Sequence, residues 1–297
     1  MFKHILVPLD GSRLAEAALP VAGYLARLFK GRVTLMHVVE KDAPEAVHGE
    51  HHLREAGEAR AYLEGVRTRF ANPAVEWQLH VHAPAAANVA GGIVAHEQEL
   101  HPDLIVMCTH GPGRLERLLR GSLAQQVVAL GRTPLLLVRP GVKNQEEFSL
   151  RKILAPLDGT SRHEGGLAVA LELAVAAASR VQFLAVVPST AVLAGPEASL
   201  ARFLPGATRA MQDLAAANLQ EYLEGVRSRA SARGIEADTV LRYGDVAEEI
   251  VQAAVDKRAE LIVLGTHGKA GTKAFWANSV AARVQGLTDR ALLLVPA

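Results

Sequence analysis

The chain has 297 residues, enough for two domains of ordinary size, and almost half of them are apolar, so each domain could bury its own core. A formal net charge of +1 and an aromatic content of 4% argue against a nucleic-acid-binding surface. The single cysteine, Cys108, excludes an intrachain disulfide. The first ten residues lack a signal-peptide pattern and no apolar run is long enough to span a bilayer, so we expect a cytoplasmic protein with no membrane partner.

Strand and helix patterns alternate through the first half of the sequence. Short runs of aliphatic and β-branched residues predict buried strands, and Ala/Leu/Glu/Arg-rich stretches with helical spacing predict helices between them. Pro20 predicts a kink in the first helix. In chain order the predicted elements are strand Ile5–Val7, helix Leu14–Phe29, strand Val33–Leu35, helix Leu53–Phe70, strand Val75–Val81, helix Asn88–Leu100, strand Leu104–Met107, helix Ser122–Leu130 and strand Leu135–Val138.

The same order returns in the second half of the chain as an internal repeat. We therefore predict two tandem domains, residues 1–140 and 151–297, joined by a polar linker at residues 141–150. Additional residues near Pro188–Pro205 predict a longer surface loop in the second copy. The repeated segments are HILVPLDGS at His4–Ser12 and KILAPLDGT at Lys152–Thr160, THG at Thr109–Gly111 and Thr266–Gly268, and LLLV at Leu135–Val138 and Leu292–Val295.

Alternation of strands and helices predicts an α/β fold. Each copy is expected to form a Rossmann-like, parallel five-stranded sheet with helices on both faces. In such sheets ligands bind beyond the carboxyl ends of the strands, at the place where the strand order reverses. The residues directly after the first, second and fourth strands are therefore the candidate site.

An acid followed by a glycine and a hydroxyl residue comes after the first strand in both copies, beginning at Asp10 and at Asp158. One interpretation is helix capping, with Ser12 or Thr160 at the N-cap. The other is ligand binding, because a carboxylate there could accept hydrogen bonds from an adenine amino group or from ribose hydroxyls. The pattern leaves both interpretations open.

A glycine-rich loop follows the fourth strand of each copy and ends in a serine, Ser122 or Ser279. Backbone N–H groups and the dipole of the next helix could hold phosphate oxygens there, with Arg114, Lys269 and Lys273 supplying positive charge. An ordinary turn with a serine N-cap is the alternative. The sequence has no Walker A motif and no convincing nucleophile–base pair.

These segments resemble the universal stress protein family, over essentially the whole chain and twice. ATP-binding members carry Gly-x2-Gly-x9-Gly-[Ser/Thr] after the fourth strand. The first copy has Cys108 in place of the first glycine of this motif, and the second has Asn278 in place of the third. The matching residues are Gly111, Gly121 and Ser122 in the first copy and Gly265, Gly268 and Ser279 in the second.

The resemblance implies an adenine nucleotide alpha hydrolase-like fold that binds ATP, with or without Mg. The first site is favoured, because Asn278 and the adjacent Trp276 would crowd the second loop. Carried over position by position, the binding residues are Pro8, Asp10, Val38, Met107, Cys108, His110, Gly111, Gly121, Ser122 and Leu123 in the first copy, and Pro156, Asp158, Val186, Leu264, Gly265, His267, Gly268, Asn278, Ser279 and Val280 in the second.

The implied function is that of a non-catalytic, nucleotide-responsive stress protein that acts on an unidentified protein partner. Two alternatives stay open: an interaction module that has lost nucleotide binding, and a slow ATPase or phosphotransferase in which Ser122 or Ser279 is modified. Because the family often pairs domains through the last strand, Leu135–Val138 is expected to pair with Leu292–Val295. A homodimer is also expected.

Histidine pairs and the cysteine raise the question of metal or redox chemistry. His48, His51 and His52 could share a helix face, but their hydrophilic surroundings favour a solvated face. His80 and His82 alternate on one face of a strand and are interpreted as strand-surface histidines. Cys108 is interpreted as a small core residue. We therefore expect no metal site.

Overall fold

The computed structural model divides the chain into two compact units. The first contains the described residues up to Ser149 together with Ala291–Pro296, and the second contains the described residues from Leu150 to Arg290. The last strand of the repeat therefore belongs to the first unit. The structure describes residues 1–41, 45–47, 49–86, 88–109, 123–140, 148–160, 164–192, 195–266 and 279–296.

The first unit is an α/β structure with a mainly parallel sheet, as the alternating pattern predicted. Its strands lie in the order β12-β7-β6-β1-β2-β5, and β12 is antiparallel to its neighbour β7. The elements are β1 His4–Pro8, α1 Leu19–Phe29, β2 Arg32–Glu40, β3 Ala46–Val47, β4 Glu50–His51, α2 Ala56–Phe70, β5 Glu76–Ala86, α3 Val89–Leu100, β6 Leu104–Cys108, α4 Leu123–Leu130, β7 Leu135–Val138 and β12 Ala291–Pro296.

The second unit repeats the strands β1, β2, β5 and β6 of this design, because the last strand of the repeat, β12, lies in the first unit. Its parallel strands lie in the order β10-β9-β8-β11, with helices between them. None of the helices in the described part of the chain combines the length and the apolarity that crossing a bilayer requires. The elements are β8 Lys152–Pro156, α5 Glu164–Ala177, β9 Arg180–Pro188, α6 Gly195–Phe203, α7 Pro205–Ser231, β10 Ala237–Gly244, α8 Val246–Asp256, β11 Leu261–Thr266 and α9 Val280–Leu287.

Central strands are buried on both faces, which explains their continuous apolar sequences. Ile5, Leu6 and Val7 of β1 are fully buried between β2 and β6. The register of β1 against β2 begins at His4 opposite Arg32. A strand covered by helices on both sides gains from apolar residues at every position, since no side chain reaches water.

Pairing between the two repeated LLLV segments is confirmed. Leu292, Leu293 and Leu294 lie opposite Leu137, Leu136 and Leu135, in antiparallel register. The strand β12 therefore covers the edge of β7 that would otherwise expose unpaired N–H and C=O groups.

Two local predictions are wrong, and one local element was not predicted. Pro20 does not kink a helix: it occupies the first turn of α1, where a missing N–H costs nothing, and the preceding residues Ala15–Ala18 form a short 3-10 helix. The stretch Pro188–Pro205 is largely helical, with a 3-10 turn at Thr190–Val192 and then α6, so it is not a loop. A β-hairpin formed by β3 and β4 stands before α2, where no strand was predicted.

Candidate functional site

The strand order of the first unit reverses beside β1. From β1 the chain moves to β2 and β5 on one side, then to β6 and β7 on the other. Connections that leave in opposite directions open a crevice at the carboxyl ends of the two strands. The residues at this place are Leu9 and Asp10 after β1, and Thr109 after β6.

A tight turn fixes the Asp10 carboxylate at this crevice. The N–H and the hydroxyl of Ser12 both donate to Asp10 Oδ1, at 2.9 and 2.6 Å. Gly11 has φ +96°, a left-handed conformation that favours glycine, and the Cβ of any other residue would lie 3.0 Å from the Leu53 side chain. Ser12 Oγ in turn accepts from Ala15 N at 3.2 Å. Ser12 therefore orients the carboxylate and accepts from the first residue of the 3-10 helix, but the N-cap position of that helix is Leu14 rather than Ser12.

The end of β6 lies close enough to Asp10 for the two to interact electrostatically. Burial raises the pKa of the Cys108 thiol to about 12, and the negative charge of Asp10 adds to this effect. Cys108 therefore stays protonated at neutral pH. The neighbouring Met107 is buried.

The end of β2 forms the third side of the crevice. Val38 is buried and lies opposite His82 of β5. One residue earlier, the His37 ring connects the turn to the segment after the hairpin: Nδ1 lies 2.8 Å from Leu9 O and Nε2 lies 3.3 Å from Leu53 O. The hairpin segment is thus tied to the end of β1, a feature with no signal in the sequence analysis.

A cavity of about 460 Å³ opens beside the turn, on the side that faces α2. In it Glu16 forms an ion pair with Arg69 at 2.6 Å. Burial, and then the Glu16 charge, raise the pKa of the Tyr62 phenol, which therefore remains a neutral O–H group. None of the residues that line the cavity was predicted as a site residue. Its lining is Gly11, Arg13, Glu16, Glu50, Tyr62 and Arg69.

The second unit repeats the turn but leaves it open. The N–H and the hydroxyl of Thr160 donate to Asp158 Oδ1, at 3.0 and 2.9 Å. Asp158 is exposed, whereas Asp10 is half-buried. The two further strand-end positions of this unit, Val186 and Leu264, are half-buried and buried respectively.

Gly265 at the carboxyl end of β11 is in close contact with the helix α5. A Cβ on Gly166 of that helix would lie 2.7 Å from Gly265 N, a distance that no real side chain tolerates. Glycine is therefore required at position 166 by packing alone. The close packing of Gly166 against Gly265 therefore involves no ligand.

Serine at the start of the last helix is a cap in this structure. Ser279 is the N-cap residue of α9, and its hydroxyl accepts from Ala282 N at 3.2 Å. The first helical residue, Val280, is exposed, as is its counterpart Leu123 at the start of α4. The capping interpretation of Ser279 therefore has direct support.

Comparison with known proteins decides the family. The profile of the universal stress protein family matches residues 1–139 and again residues 149–296. The chain belongs to the universal stress protein family. The two matches also support the tandem arrangement that the internal repeat predicted.

Two sequence relatives of this universal stress protein each match about half of it. A universal stress protein of Methanocaldococcus jannaschii is 31% identical over 147 residues, which are 47% of this chain and 83% of the relative. One from Thermus aquaticus is 35% identical over 144 residues, 47% of this chain and all of the relative. A solved universal stress protein of Archaeoglobus fulgidus covers the whole of this chain, and 99% of its own, at a TM-score of 0.67 and 14% identity, which shows a shared fold.

The predicted phosphate-binding part of this universal stress protein lies outside the described residues. In the first unit, Asp10, Val38, Met107 and Cys108 come together at the ends of neighbouring strands, with Pro8 closing β1. The positions outside the described part of the chain are His110, Gly111, Gly121 and Ser122, together with His267, Gly268 and Asn278.

The histidines lie in other environments than the sequence indicated. His51 is exposed in β4 rather than on a helix, and His48 lies outside the described residues. His52 is buried, with Nε2 3.5 Å from Glu40 Oε1, so a solvated face is wrong for it. His80 and His82 do alternate on one face of β5, but that face is covered by α3.

Proposed function

We propose that this universal stress protein binds ATP at the crevice of the first unit. The observation that carries the proposal is the position of Asp10: its carboxylate is oriented by Ser12 at the point where the strand order reverses. An oriented acceptor is what an adenine amino group or a ribose hydroxyl needs. Met107 and Val38 supply buried apolar surface on either side.

The phosphates are assigned to the loop between β6 and α4. Its sequence keeps the spacing of Gly111, Gly121 and Ser122 that ATP-binding members of the family carry, and His110 and Leu123 flank these positions. Backbone N–H groups at a helix start suit phosphate oxygens, and Mg would accompany the triphosphate. In the second unit the corresponding site is proposed to be weaker, because Asn278 replaces a glycine of the motif.

ATP is proposed to act as a regulatory ligand rather than as a substrate. The Cys108 thiol at the end of β6 is held protonated by burial. A protonated thiol is a poor nucleophile. The consequence of binding would then be a change in the surface offered to a protein partner.

The test measures ATP binding by calorimetry in the wild type and in Asp10→Asn. Asparagine keeps an Oδ1 acceptor for Ser12 but replaces the second carboxylate oxygen by a donor, so we expect the turn to survive and the affinity to fall at least tenfold. Asp158→Asn is the matched control and should keep the high-affinity site. Undiminished binding in Asp10→Asn, or no heat and no rise in melting temperature at saturating ATP, would show that the proposal is wrong.

A further inference from the structure

A cluster of histidines lies at the edge of the first unit, away from the turn at Asp10. It consists of His80 and His82 on β5 and His96 and Glu99 on α3, and we call these four residues the histidine cluster. His80 Nε2 lies 2.7 Å from His96 Nε2, and Glu99 Oε2 lies 3.4 Å from the same His96 atom. One ligand atom from each of His80, His96 and Glu99 fits within a 4.8 Å span.

Local structure brings these side chains together. Residues two apart on a strand share a face, so His80 and His82 both point towards α3. Residues three apart on a helix are neighbours, which places Glu99 beside His96. His96 is 3% exposed. The centroid of its ring lies 4.4 Å from the ring centroid of His80 and 4.8 Å from that of His82.

The tautomer of His96 is set by its own helix. Its Nδ1 lies 2.8 Å from the carbonyl oxygen of Gly92, an atom that can only accept, so Nδ1 carries the proton. The lone pair of Nε2 is then directed into the cluster. A metal-binding histidine has this same arrangement, with the far ring nitrogen donating to a carbonyl that fixes the ring.

Metal binding requires neutral imidazoles, and the surroundings of His80 and His82 favour that form. Burial, and then the proximity of His96, lower the pKa of His80 and of His82. A neutral ring offers one nitrogen lone pair, whereas an imidazolium ring offers none. Glu99 is the acidic member of the group and would contribute a negatively charged oxygen ligand.

The second unit has an arginine at the matching place. The register that sets His82 opposite Val38 sets Arg242 opposite Val186, so Arg242 is the counterpart of His82. Its guanidinium binds two acids of α8, Asp256 at 2.5 Å and Glu249 at 3.3 Å. Asp256 ends α8 where Glu99 stands near the end of α3. In the second unit the cation between strand and helix is therefore the guanidinium of an arginine. In the first unit the same place holds side chains that could bind a metal cation.

We propose that His80, His96 and Glu99 bind a divalent transition metal of the zinc class, with His82 next to the site as a further ligand. Two imidazole nitrogens and one carboxylate oxygen form a donor set that zinc accepts. Tetrahedral bonds of about 2.0–2.1 Å separate ligand nitrogens by about 3.4 Å, so the His80 ring would move outward slightly from its hydrogen-bonded position. The exposed carboxylate of Glu99 and the half-buried ring of His80 leave room for this adjustment. The proposal does not depend on nucleotide binding.

The experiment titrates the untagged, chelator-treated full chain with Zn²⁺ by calorimetry, and with Co²⁺ by absorption spectroscopy. We expect one high-affinity site, and visible Co²⁺ bands of the intensity typical of four-coordinate nitrogen and oxygen ligation. His80→Gln and Glu99→Gln should each lower the affinity for Zn²⁺ at least tenfold, because each removes one ligand. These two residues are chosen because they are half-buried and exposed, so the buried His96 stays in place.

His51→Gln is the matched control. His51 also lies beside a glutamate, with Nε2 3.6 Å from Glu58 Oε1, but it has a single imidazole and an exposed side chain. It should leave Zn²⁺ binding unchanged. The proposal is overturned if no site tighter than millimolar is found, if His80→Gln and Glu99→Gln bind as the wild type does, or if His51→Gln removes the site. Melting curves without metal verify that each variant is folded.

Discussion

The two units end their equivalent inner strands, β6 and β11, in different ways. In the second unit, Gly265 meets Gly166 so closely that a Cβ on Gly166 would lie 2.7 Å from the Gly265 backbone. In the first unit the corresponding residues are Cys108 and Ala18, and the chain before α1 is tightened into a 3-10 helix that ends at Ala18 and packs on β6. Between the two units, the residue at the motif-glycine position and the residue it faces differ together: Gly265 and Gly166 in one, Cys108 and Ala18 in the other.

The largest effect that the comparison predicts is on the reactivity of Cys108. Its pKa is raised to about 12 by burial, with a contribution from Asp10, so almost no thiolate exists near neutral pH. We expect alkylation by iodoacetamide to be about three orders of magnitude slower than for an unperturbed thiol, and to accelerate only as the pH approaches the raised pKa. Rates are followed by mass spectrometry, and denaturant should restore normal reactivity. Fast labelling of the native protein would contradict the raised pKa of this half-buried thiol at the end of β6.

A methyl group at the glycine contact tests the other half of the comparison. Gly166→Ala should destabilise the second unit by about 1–3 kcal/mol, because the new Cβ meets backbone that cannot move aside cheaply. Gly225→Ala is the control, because Gly225 lies in α7 with open space around it. This variant should have a free energy of unfolding about 0.5–1 kcal/mol higher than the wild type. Urea unfolding measures both. Equal stability of the two variants would show that the close approach at Gly265 is absent in solution.

The smallest expected effect is on stability, when the N-cap residue of α3 or of α8 is replaced. Asn88 accepts from Ala90 N at 3.0 Å, and Asp245 accepts from Ala247 and Glu248 N, both at 3.1 Å. Replacing either cap by alanine should cost about 1 kcal/mol at neutral pH. Urea unfolding of Asn88→Ala and Asp245→Ala gives this comparison.

Only the second cap should depend on pH. Hydrogen bonds from Arg283 lower the pKa of Asp245 below its ordinary value of 3.8. A carboxyl group whose pKa is lowered by folding stabilises the protein at pH values above its pKa in the unfolded chain. This contribution disappears as the pH falls through the pKa of the folded state. The penalty of Asp245→Ala should therefore shrink in acid while that of Asn88→Ala stays constant. If the loss of stability is independent of pH for both variants, Arg283 does not lower the pKa of Asp245.

Much of the fold could be predicted because it is encoded locally. Strand and helix order follow from the apolar patterns, and the repeat reveals a second copy of the same design. Pairing of Leu135–Val138 with Leu292–Val295 is confirmed even though these segments lie far apart in the sequence. This prediction comes from the resemblance to the family, whose members often pair domains through the last strand, and it agrees with the need of an apolar edge strand for a partner.

Features that depend on tertiary register could not be predicted. The hairpin of β3 and β4 has only two residues in each strand, too few for a period-two pattern. His96 gave no signal, because a single histidine in an apolar helix becomes meaningful only when β5 is aligned beside it. The turn at Asp10 was found from sequence, but the cavity lined by Tyr62 and Arg69 needs α2 to be placed first.

The strand β12 has a consequence for biosynthesis. Its residues are translated last among those described, yet they complete the sheet of the half that emerges first. Until then the nascent first half carries β7 as a bare, hydrophobic edge that neighbouring chains on a polysome could capture. Docking of β12 is therefore the step that closes this edge to pairing with another chain.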